Sequence, residues 1–418
     1  MGNEQSSLSN GLPGTFPITH QQQEVAHFQP VVYDVHGRRI PSNEQYRPCS
    51  VGVLPRRVSR PISPQETHTP PGSPVYLFNS SSRSPDAPRL NEALSLSKDF
   101  QLQRVLGDSS EGAVYLAKHN RNGKFVAMKI LHRKARSRDI SELSEDCLFH
   151  LRKIPYHRHI LFMSQVDITS DAQIWQCLSF CNAGDLLDYG ERIRDHTLSR
   201  DGQLIFVLHV FIQLGEALAF LHHGLSRDRI TGRWTVATRY RSILHNDVKP
   251  DNIMLHFQTL NDFGMPDIRL GDFGAATLAS SPPPCAGTPD YFSPEAKIYD
   301  EGFEGPPMQR ASNVYTFGLT LHWLITGNRW APAKPPKRLR LPREYEMMGF
   351  TRIIKNCLNL DPRLRPTMDC HPVSGLMQRV DCAYKERAQL HGGPGLLGYT
   401  FWVDWRQEAM KTEIGRTK

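Results

Sequence analysis

The sequence predicts an α+β protein in which a proline-rich leader precedes an antiparallel sheet and at least one long buried helix. Short alternating apolar stretches separated by glycine turns fill residues 100–131, a pattern typical of paired strands. Apolar residues then recur at helical spacing over 204–221, interrupted by His209, Gln213 and Glu216. This interruption favours a buried helix with a polar stripe over a membrane span.

The leader occupies residues 1–97 and is predicted to be a disordered, Pro/Ser-rich tail. Its first 96 residues hold 13 of the 31 prolines, with eight Arg against seven Asp and Glu. Segments with so few apolar residues cannot bury enough surface to fold alone. Since the net charge of the whole chain is +8, most of the basic excess lies outside the tail. We therefore expect no specific nucleic-acid binding by a basic arm.

Cysteine usage and the amino terminus bear on location. The eight cysteines contain no CxxC pair, so we interpret them as reduced thiols and expect a cytoplasmic protein, with the nucleus or a membrane periphery as alternatives. Gly2 followed by Ser6 fits N-myristoylation as well as it fits an ordinary frayed terminus. A single acyl chain anchors weakly, with an association constant of roughly 10⁴ M⁻¹.

The turn after the first predicted strand carries glycines at Gly107 and Gly112. Glycines in such a turn let backbone N–H groups approach phosphate oxygens closely. Lys129 lies in the third predicted strand, where an unpaired ammonium group would be costly. We therefore expect Lys129 to face phosphates and a carboxylate, with Glu145 as its first candidate partner and Glu142 as the alternative.

Four ordered motifs resemble those of the eukaryotic protein kinase family. They are the catalytic loop in His245-Asn246-Asp247-Val248-Lys249-Pro250-Asp251-Asn252, the magnesium-binding loop in Leu270-Gly271-Asp272-Phe273-Gly274, the end of the activation segment at 287–295, and the late arginine motif at 361–366. The resemblance implies a two-lobed kinase fold with a small antiparallel-sheet lobe at about 98–180. A larger, mainly helical lobe would follow to about 392, with a C-terminal extension at 393–418.

The resemblance also implies ATP and Mg²⁺ as cofactors and assigns the catalytic roles. Asp247 accepts or orients the proton of the substrate hydroxyl, and Lys249 sits beside the transferring phosphate. Asn252 and Asp272 hold Mg²⁺, a hard cation that favours oxygen ligands. Asp185 would reach the ribose. The implied catalytic set is Asp247, Lys249, Lys129 and Glu145.

The implied nucleotide site draws on both lobes. Its members are Gly107, Gly112, Val114, Ala127, Lys129, Leu178, Ser179, Cys181, Asp185, Asn252 and Asp272. In this arrangement Val114 and Ala127 cover the adenine and Leu178 lines the back of the pocket. Backbone groups of Ser179 and Cys181 would bind the adenine edge.

Lys249 and the Gly287-Thr288 pair match the serine/threonine branch of the family. The resemblance therefore implies transfer of the ATP γ-phosphate to Ser/Thr hydroxyls of protein substrates, by a monomer. It also implies a buried ion pair between Glu295 and Arg365 beneath the substrate platform. Removing one partner of such a pair leaves an uncompensated buried charge.

The sequence departs from the family pattern at three positions. Asn246 stands in place of the usual arginine of the catalytic loop, Asn313 in place of an aspartate, and Ser109 in place of the middle glycine. An amide cannot neutralise a phosphate, so we expect activity without phosphorylation of Ser280 or Ser281. The departures motivate an alternative, a pseudokinase or scaffold that binds ATP or partners without efficient turnover. A kinase-like small-molecule phosphotransferase is a third interpretation.

An insertion at 226–243 carries five arginines together with Trp234 and Tyr240. Arginine interleaved with aromatics could bind RNA or an acidic partner. We favour a solvated hairpin beside the large lobe. The spacing of 20 residues from Asn252 to Asp272 further predicts an enlarged turn around 261–264.

Overall fold

The computed structural model describes most of the region after the leader. The described residues are 99–108, 112–131, 154–168, 174–192, 199–257, 264–283, 285–303, 306–328, 339–391 and Arg406. The predicted tail, Ser109, Glu142, Glu145, most of the extension and the tip of the 261–264 turn lie outside them. The boundaries assigned to the tail and the extension stay predictions.

A five-stranded antiparallel sheet forms the first part of the fold. Its spatial order is β1-β2-β3-β5-β4. The strands are β1 (Phe100–Asp108), β2 (Gly112–His119), β3 (Phe125–Leu131), β4 (Met163–Ile168) and β5 (Ile174–Ser179). Tyr115, Met128 and Trp175 are among the side chains of its buried face. The three predicted strands are confirmed.

The glycine turn is tighter than the sequence predicts. Gly107 lies within β1, opposite Val114, and Gly112 already begins β2 opposite Leu131. A Cβ at Gly112 would lie 2.3 Å from the Ile130 carbonyl oxygen, so only glycine permits this approach of β3. The described strands therefore extend to Asp108 on one side of the turn and begin at Gly112 on the other.

Helices dominate the second part. They are α1 (Leu186–Arg192), α2 (Arg200–His223), α3 (Pro294–Asp300), α4 (Arg310–Thr326), α5 (Arg343–Met347), α6 (Phe350–Cys357) and α7 (Met377–His391). Helix α2 is long and apolar enough to cross a bilayer, yet its most apolar window is entirely buried inside the fold. The predicted two-lobed α+β arrangement is confirmed.

The polar stripe of α2 meets polar partners within the large lobe. Gln213 accepts a hydrogen bond from the Ile268 N–H at 2.7 Å and donates to Asp267 at 2.8 Å. Glu216, which is fully buried, accepts hydrogen bonds from Arg158 and from the Tyr384 hydroxyl. Buried polar groups persist when they are paired in this way. The stripe ties α2 to the neighbouring strands and to α7.

Three two-stranded pairings accompany the helices of the second part. They are β6 (Leu225–Arg227) with β7 (Trp234–Val236), β8 (Ile243–Leu244) with β11 (Thr277–Leu278), and β9 (Ile253–His256) with β10 (Asp267–Leu270). The β6–β7 pair forms the hairpin that the 226–243 insertion predicts. Gly224 ends α2 at φ +66°, and a Cβ there would lie 2.6 Å from the Tyr240 ring. Glycine thus allows the hairpin to turn back onto α2.

Candidate active site

Asp247 lies in the loop between β8 and β9, where three groups bind its carboxylate. The Thr288 N–H donates to Oδ1 at 2.9 Å, and Asn252 Nδ2 donates to Oδ2 at 2.9 Å. Lys249 Nζ lies 3.2 Å from Oδ2. The carboxylate therefore has a fixed orientation.

Lys249 links the catalytic loop to the segment before α3. Its Nζ donates to the Thr288 hydroxyl at 2.6 Å, so Lys249 joins Asp247 and Thr288. Gly287 has φ +102°, and a Cβ there would lie 2.2 Å from the Asn246 carbonyl oxygen. Glycine is needed here because the two segments approach each other closely. The Thr288 N–H contact with Asp247 was missed in the sequence, although the Gly287-Thr288 pair signals it.

His245 is a buried, neutral imidazole that stabilises the catalytic loop. Its Nε2 donates to the Gly271 carbonyl at 2.9 Å, and its Nδ1 accepts the Asp247 N–H at 3.3 Å. Burial lowers the pKa of His245, against the opposing influence of the Asp247 charge. This tautomer joins the catalytic loop to the segment that carries Asp272.

A side-chain contact joins Lys129 of the sheet to Asp272, which follows β10. Lys129 Nζ donates to Asp272 Oδ1 at 3.3 Å. Burial favours a raised pKa for the Asp272 carboxyl, but the charge and hydrogen bond of Lys129 hold that pKa below its usual value. Asp272 also adopts φ +55°, a conformation uncommon outside glycine and asparagine that directs its side chain away from an ordinary strand path. The predicted carboxylate partners of Lys129, Glu145 and Glu142, lie outside the described residues.

The residues that are predicted to contact adenine lie in strands β2, β3 and β5 or directly after β5. Ala127 pairs with Leu178 across β3 and β5, and Val114 pairs with Lys129 across β2 and β3. The Ser179 N–H donates to the Phe162 carbonyl at 2.8 Å, so this donor is committed to the protein backbone. The expectation that backbone groups of Ser179 and Cys181 bind the adenine edge stays a prediction. Cys181 follows directly after β5.

The resemblance implies that Asn252 and Asp272 are the magnesium ligands. Both hydrogen bonds of Asn252 Nδ2 go to Asp247, and this fixes the amide so that its oxygen faces away from that carboxylate. Asp272 follows Gly271, whose N–H donates to the Asn252 carbonyl at 2.8 Å, so the Asp272 carboxylate is the other candidate ligand. A carboxylate and an amide oxygen suit a hard divalent cation that keeps several waters. The residues present therefore fit Mg²⁺ bound together with ATP phosphates.

Asp185, which is predicted to reach the ribose, also accepts a hydrogen bond within the protein. Its Oδ1 accepts the Asp188 N–H at 2.9 Å, at the start of α1. Burial, with smaller contributions from the charges of Asp188 and Asp251, raises the pKa of the Asp185 carboxyl to about 7. The folded protein thus binds this proton more tightly than the unfolded chain does.

Asp185→Asn is expected to stabilise the protein at about pH 8, because asparagine keeps an acceptor for the Asp188 N–H and removes a buried charge. Stability of the native chain falls as pH rises from about 4 to 7, the window between the unfolded and folded pKa values. Since Asp185 keeps some contact with solvent, we expect a gain of about 1–2 kcal/mol. Melting curves at both ends of the window check this. Equal gains at about pH 4 and pH 8, or a similar gain for the exposed Asp201→Asn, would contradict it.

Asn246 contacts the activation segment directly. Its Nδ2 donates to the Ala275 carbonyl at 2.8 Å and to the Thr277 hydroxyl at 3.1 Å. Its backbone has φ +65°, a conformation that asparagine adopts more readily than most residues. A neutral amide thus holds the start of β11 without a phosphate.

Asn313 accepts backbone hydrogen bonds as the sequence predicts. The His245 N–H donates to Asn313 Oδ1 at 2.8 Å. Its Nδ2 is buried and has no partner in the described part of the chain. An unsatisfied donor of this kind costs about 1–3 kcal/mol. Asparagine at this position therefore lowers the stability of the fold relative to aspartate, which has no donor to leave unpaired.

The predicted ion pair beneath the platform is confirmed. Arg365 binds both carboxylate oxygens of Glu295, at 2.7 and 2.8 Å. The Ser312 hydroxyl donates to Glu295 at 2.8 Å, and Arg365 also donates to the Asn359 and Ala311 carbonyls. Burial alone would raise the pKa of Glu295, but the hydrogen bonds and charge of Arg365 hold it below its usual value. The pair fixes α3 against the start of α4.

Comparison with known proteins agrees with this geometry. Residues 100–374 match the protein kinase domain family, which is more than half of the chain. The chain belongs to the eukaryotic protein kinase family, in its serine/threonine branch.

Relatives in this family are distant. The chain is 28% identical to serine/threonine-protein kinase Nek1 of Toxoplasma gondii over 367 residues, which cover 80% of this chain and 21% of that protein. It is 24% identical to CBL-interacting protein kinase 21 of Oryza sativa subsp. japonica over 253 residues, covering 59% and 41% of the two chains. For maternal embryonic leucine zipper kinase of Danio rerio, identity is 26% over 235 residues, covering 56% and 29%. The chain thus spans less than half the length of these relatives.

Proposed function

We propose that this chain transfers the γ-phosphoryl group of ATP to Ser or Thr hydroxyls of protein substrates. The observation that carries the proposal is the fixed carboxylate of Asp247, bound by Asn252, Lys249 and the Thr288 N–H. Phosphoryl transfer depends on positioning and on charge neutralisation more than on covalent catalysis. This constellation provides both functions at the floor of the cleft.

In the proposed reaction the substrate oxygen forms a bond to the γ-phosphorus while the bond to the ADP oxygen breaks. Asp247 accepts or orients the hydroxyl proton. Lys249 reaches the region between Asp247 and Thr288, where it neutralises charge on the transferring group. Lys129 binds the α- and β-phosphates while Asp272 keeps it oriented. Asn252 and Asp272 would hold Mg²⁺, which would offset the negative charge of the ATP phosphates when it is bound.

A protein acceptor is supported over a small molecule by the platform after the activation segment. Gly287 and Thr288 lie directly against Asp247, and α3 follows them in the chain. The buried Glu295–Arg365 pair fixes α3 rigidly. An extended peptide could lie on this platform with its hydroxyl at Asp247.

We also propose that the protein is monomeric and cytoplasmic. Any acylation of Gly2 would provide only weak membrane association.

Incubation of the full chain with Mg-ATP and generic acceptor proteins tests the proposed function. We expect phosphate on Ser and Thr of the acceptors with the native chain and none with Lys129→Met, which removes the phosphate contact. Phosphoamino-acid analysis and a nucleotide-binding measurement are the readouts. Nucleotide binding by the native chain without any transfer would favour the pseudokinase or scaffold alternative.

Ser280→Ala combined with Ser281→Ala is expected to leave the rate of transfer within about twofold of the native rate. Asn246 already holds Ala275 and Thr277 through a neutral amide, so no phosphate is needed to position β11. Initial rates and melting curves of both proteins are compared. A loss of turnover in a folded double variant would show that phosphorylation is required.

A further inference from the structure

We propose that the surface around the β6–β7 hairpin docks an acidic, apolar-containing segment of a partner protein. This hairpin surface comprises Ile230, Arg233, Val236, Arg239, Arg241 and Arg310, all of which are exposed. It lies outside the nucleotide and acceptor sites. The proposal concerns binding alone and holds whether or not the chain turns over ATP.

The hairpin has a fixed base. Asp381 of α7 accepts from Arg227 Nε at 2.8 Å and from the Trp234 indole N–H at 3.0 Å. The Arg227 guanidinium also lies 4.0 Å from the centre of the Tyr384 ring. These contacts hold both strands of the hairpin to α7. A surface held in place in this way loses little conformational entropy when a partner binds.

The arginines of the surface outnumber its carboxylates. The exposed carboxylate of the hairpin, Asp228, accepts hydrogen bonds from the Ile230 and Thr231 N–H groups and from the Thr231 hydroxyl. Within the described part of the chain, Arg233, Arg239 and Arg241 form no ion pair, and the Arg310 side chain contacts the Ser242 hydroxyl at 3.0 Å. The nearby Asp381 is occupied by Arg227 and Trp234. Positive charges that outnumber nearby carboxylates attract acidic segments and steer their association.

The path of the chain directs two of these arginines outward. Tyr240, which separates Arg239 from Arg241, packs against Phe220 with ring centres 5.5 Å apart and donates to the Leu221 carbonyl at 3.2 Å. Arg239 adopts φ +55°, a conformation that is costly for a residue other than glycine or asparagine. The structure thus maintains strain at a residue whose side chain is exposed and unpaired.

Apolar side chains complete the surface. Ile230 at the hairpin tip is 95% exposed and Val236 is 60% exposed. Apolar groups beside unpaired arginines favour a partner that combines carboxylates with apolar side chains, because each can then be paired or buried. An extended protein segment has this composition.

The aromatic residues argue against single-stranded RNA as the occupant. RNA-binding surfaces use exposed aromatic rings on which bases stack. Here Trp234 and Tyr240 are both partly buried and direct their polar atoms to Asp381 and Leu221. The fold therefore divides the sequence pattern of arginine with aromatics, because four of the five arginines are exposed and both rings are partly buried.

The test measures binding to the full chain without ATP. The probe is a fluorescein-labelled peptide of repeated Glu-Glu-Leu triplets, followed by fluorescence anisotropy. We expect binding that weakens with salt and is reduced about tenfold or more by the double variant Arg239→Glu with Arg241→Glu. The matched control is Arg343→Glu with Arg352→Glu, which makes the same charge change at exposed positions of α5 and α6 and should alter binding less than twofold.

Further probes decide the identity of the occupant. Ile230→Ser should weaken the Glu-Glu-Leu peptide severalfold and leave a Glu-Glu-Gln peptide unchanged. Tighter binding of oligouridylate RNA or of phosphatidylserine vesicles, with the same dependence on Arg239 and Arg241, would overturn the proposal in favour of those anions. Equal losses for both double variants, or no binding of the acidic peptide, would also overturn it. Melting curves of each variant confirm that the fold is retained.

Discussion

Arg365→Ala is expected to lower the free energy of unfolding by about 3–5 kcal/mol and the melting temperature by about 10 °C. The side chain of Arg365 is fully buried and that of Glu295 is 3% exposed. Removing the guanidinium leaves the Glu295 carboxylate without its counter-charge and strands the Asn359 and Ala311 carbonyls. Because α3 follows the acceptor platform directly, phosphate transfer should fall as well.

Arg363→Ala provides the matched control for this prediction. Arg363 pairs with Asp361 at 2.8 Å, but its side chain is 87% exposed. Exposed ion pairs contribute little to stability because water screens them, so this variant should melt close to the native chain. Thermal unfolding followed by circular dichroism compares the two. Similar melting curves for Arg365→Ala and the native chain would refute the structural role of the buried pair.

Asp247→Asn is expected to reduce the rate of phosphate transfer by about 100- to 10,000-fold while the protein stays folded. Asparagine can accept the Thr288 N–H or the Asn252 amide hydrogen, but it cannot take a proton from the substrate. One of the two contacts must also become unfavourable, because both partners are donors. Nucleotide affinity should change little, since Asp247 faces the acceptor and not the adenine positions.

Initial transfer rates and nucleotide affinities, measured on the same preparation, check this second prediction. Asp300→Asn is the control, because it removes an exposed carboxylate at the end of α3 that has no part in the proposed reaction. A native rate for Asp247→Asn would exclude Asp247 as the base. An equal loss in both variants would point to general destabilisation.

The chemistry-bearing residues could be identified from the sequence because they lie in short, ordered motifs. Asp247, Lys249 and Asn252 share one loop, and their spacing is sufficient to identify it. Contacts between distant segments were less accessible. The sequence placed Gly107 and Gly112 in the turn itself, but pairing with neighbouring strands extended β1 and β2 to include them. Strand ends depend on their partners, which local patterns do not specify.

For the departures from the family pattern, too, the sequence does not specify contacts between distant segments. The sequence established that Asn246 cannot bind a phosphate, but only the folded chain shows its amide on Ala275 and Thr277. Likewise, the stripe of His209, Gln213 and Glu216 was visible as polar residues on an apolar helix. Their partners come from β10, the 154–160 loop and α7, far apart in the chain.

By itself, the sequence determined the fold class and the kinase family and predicted the residues that carry the chemistry, because motif spacing and hydrophobic periodicity are local properties. Tertiary structure alone decided which donors orient Asp247, how Asn246 holds the activation segment, and which side of the 226–243 insertion faces water. The arginines and aromatic rings alternate in the chain. Packing against α2 and α7 buries part of each ring and leaves Arg239 and Arg241 exposed, because burial is set by long-range contacts.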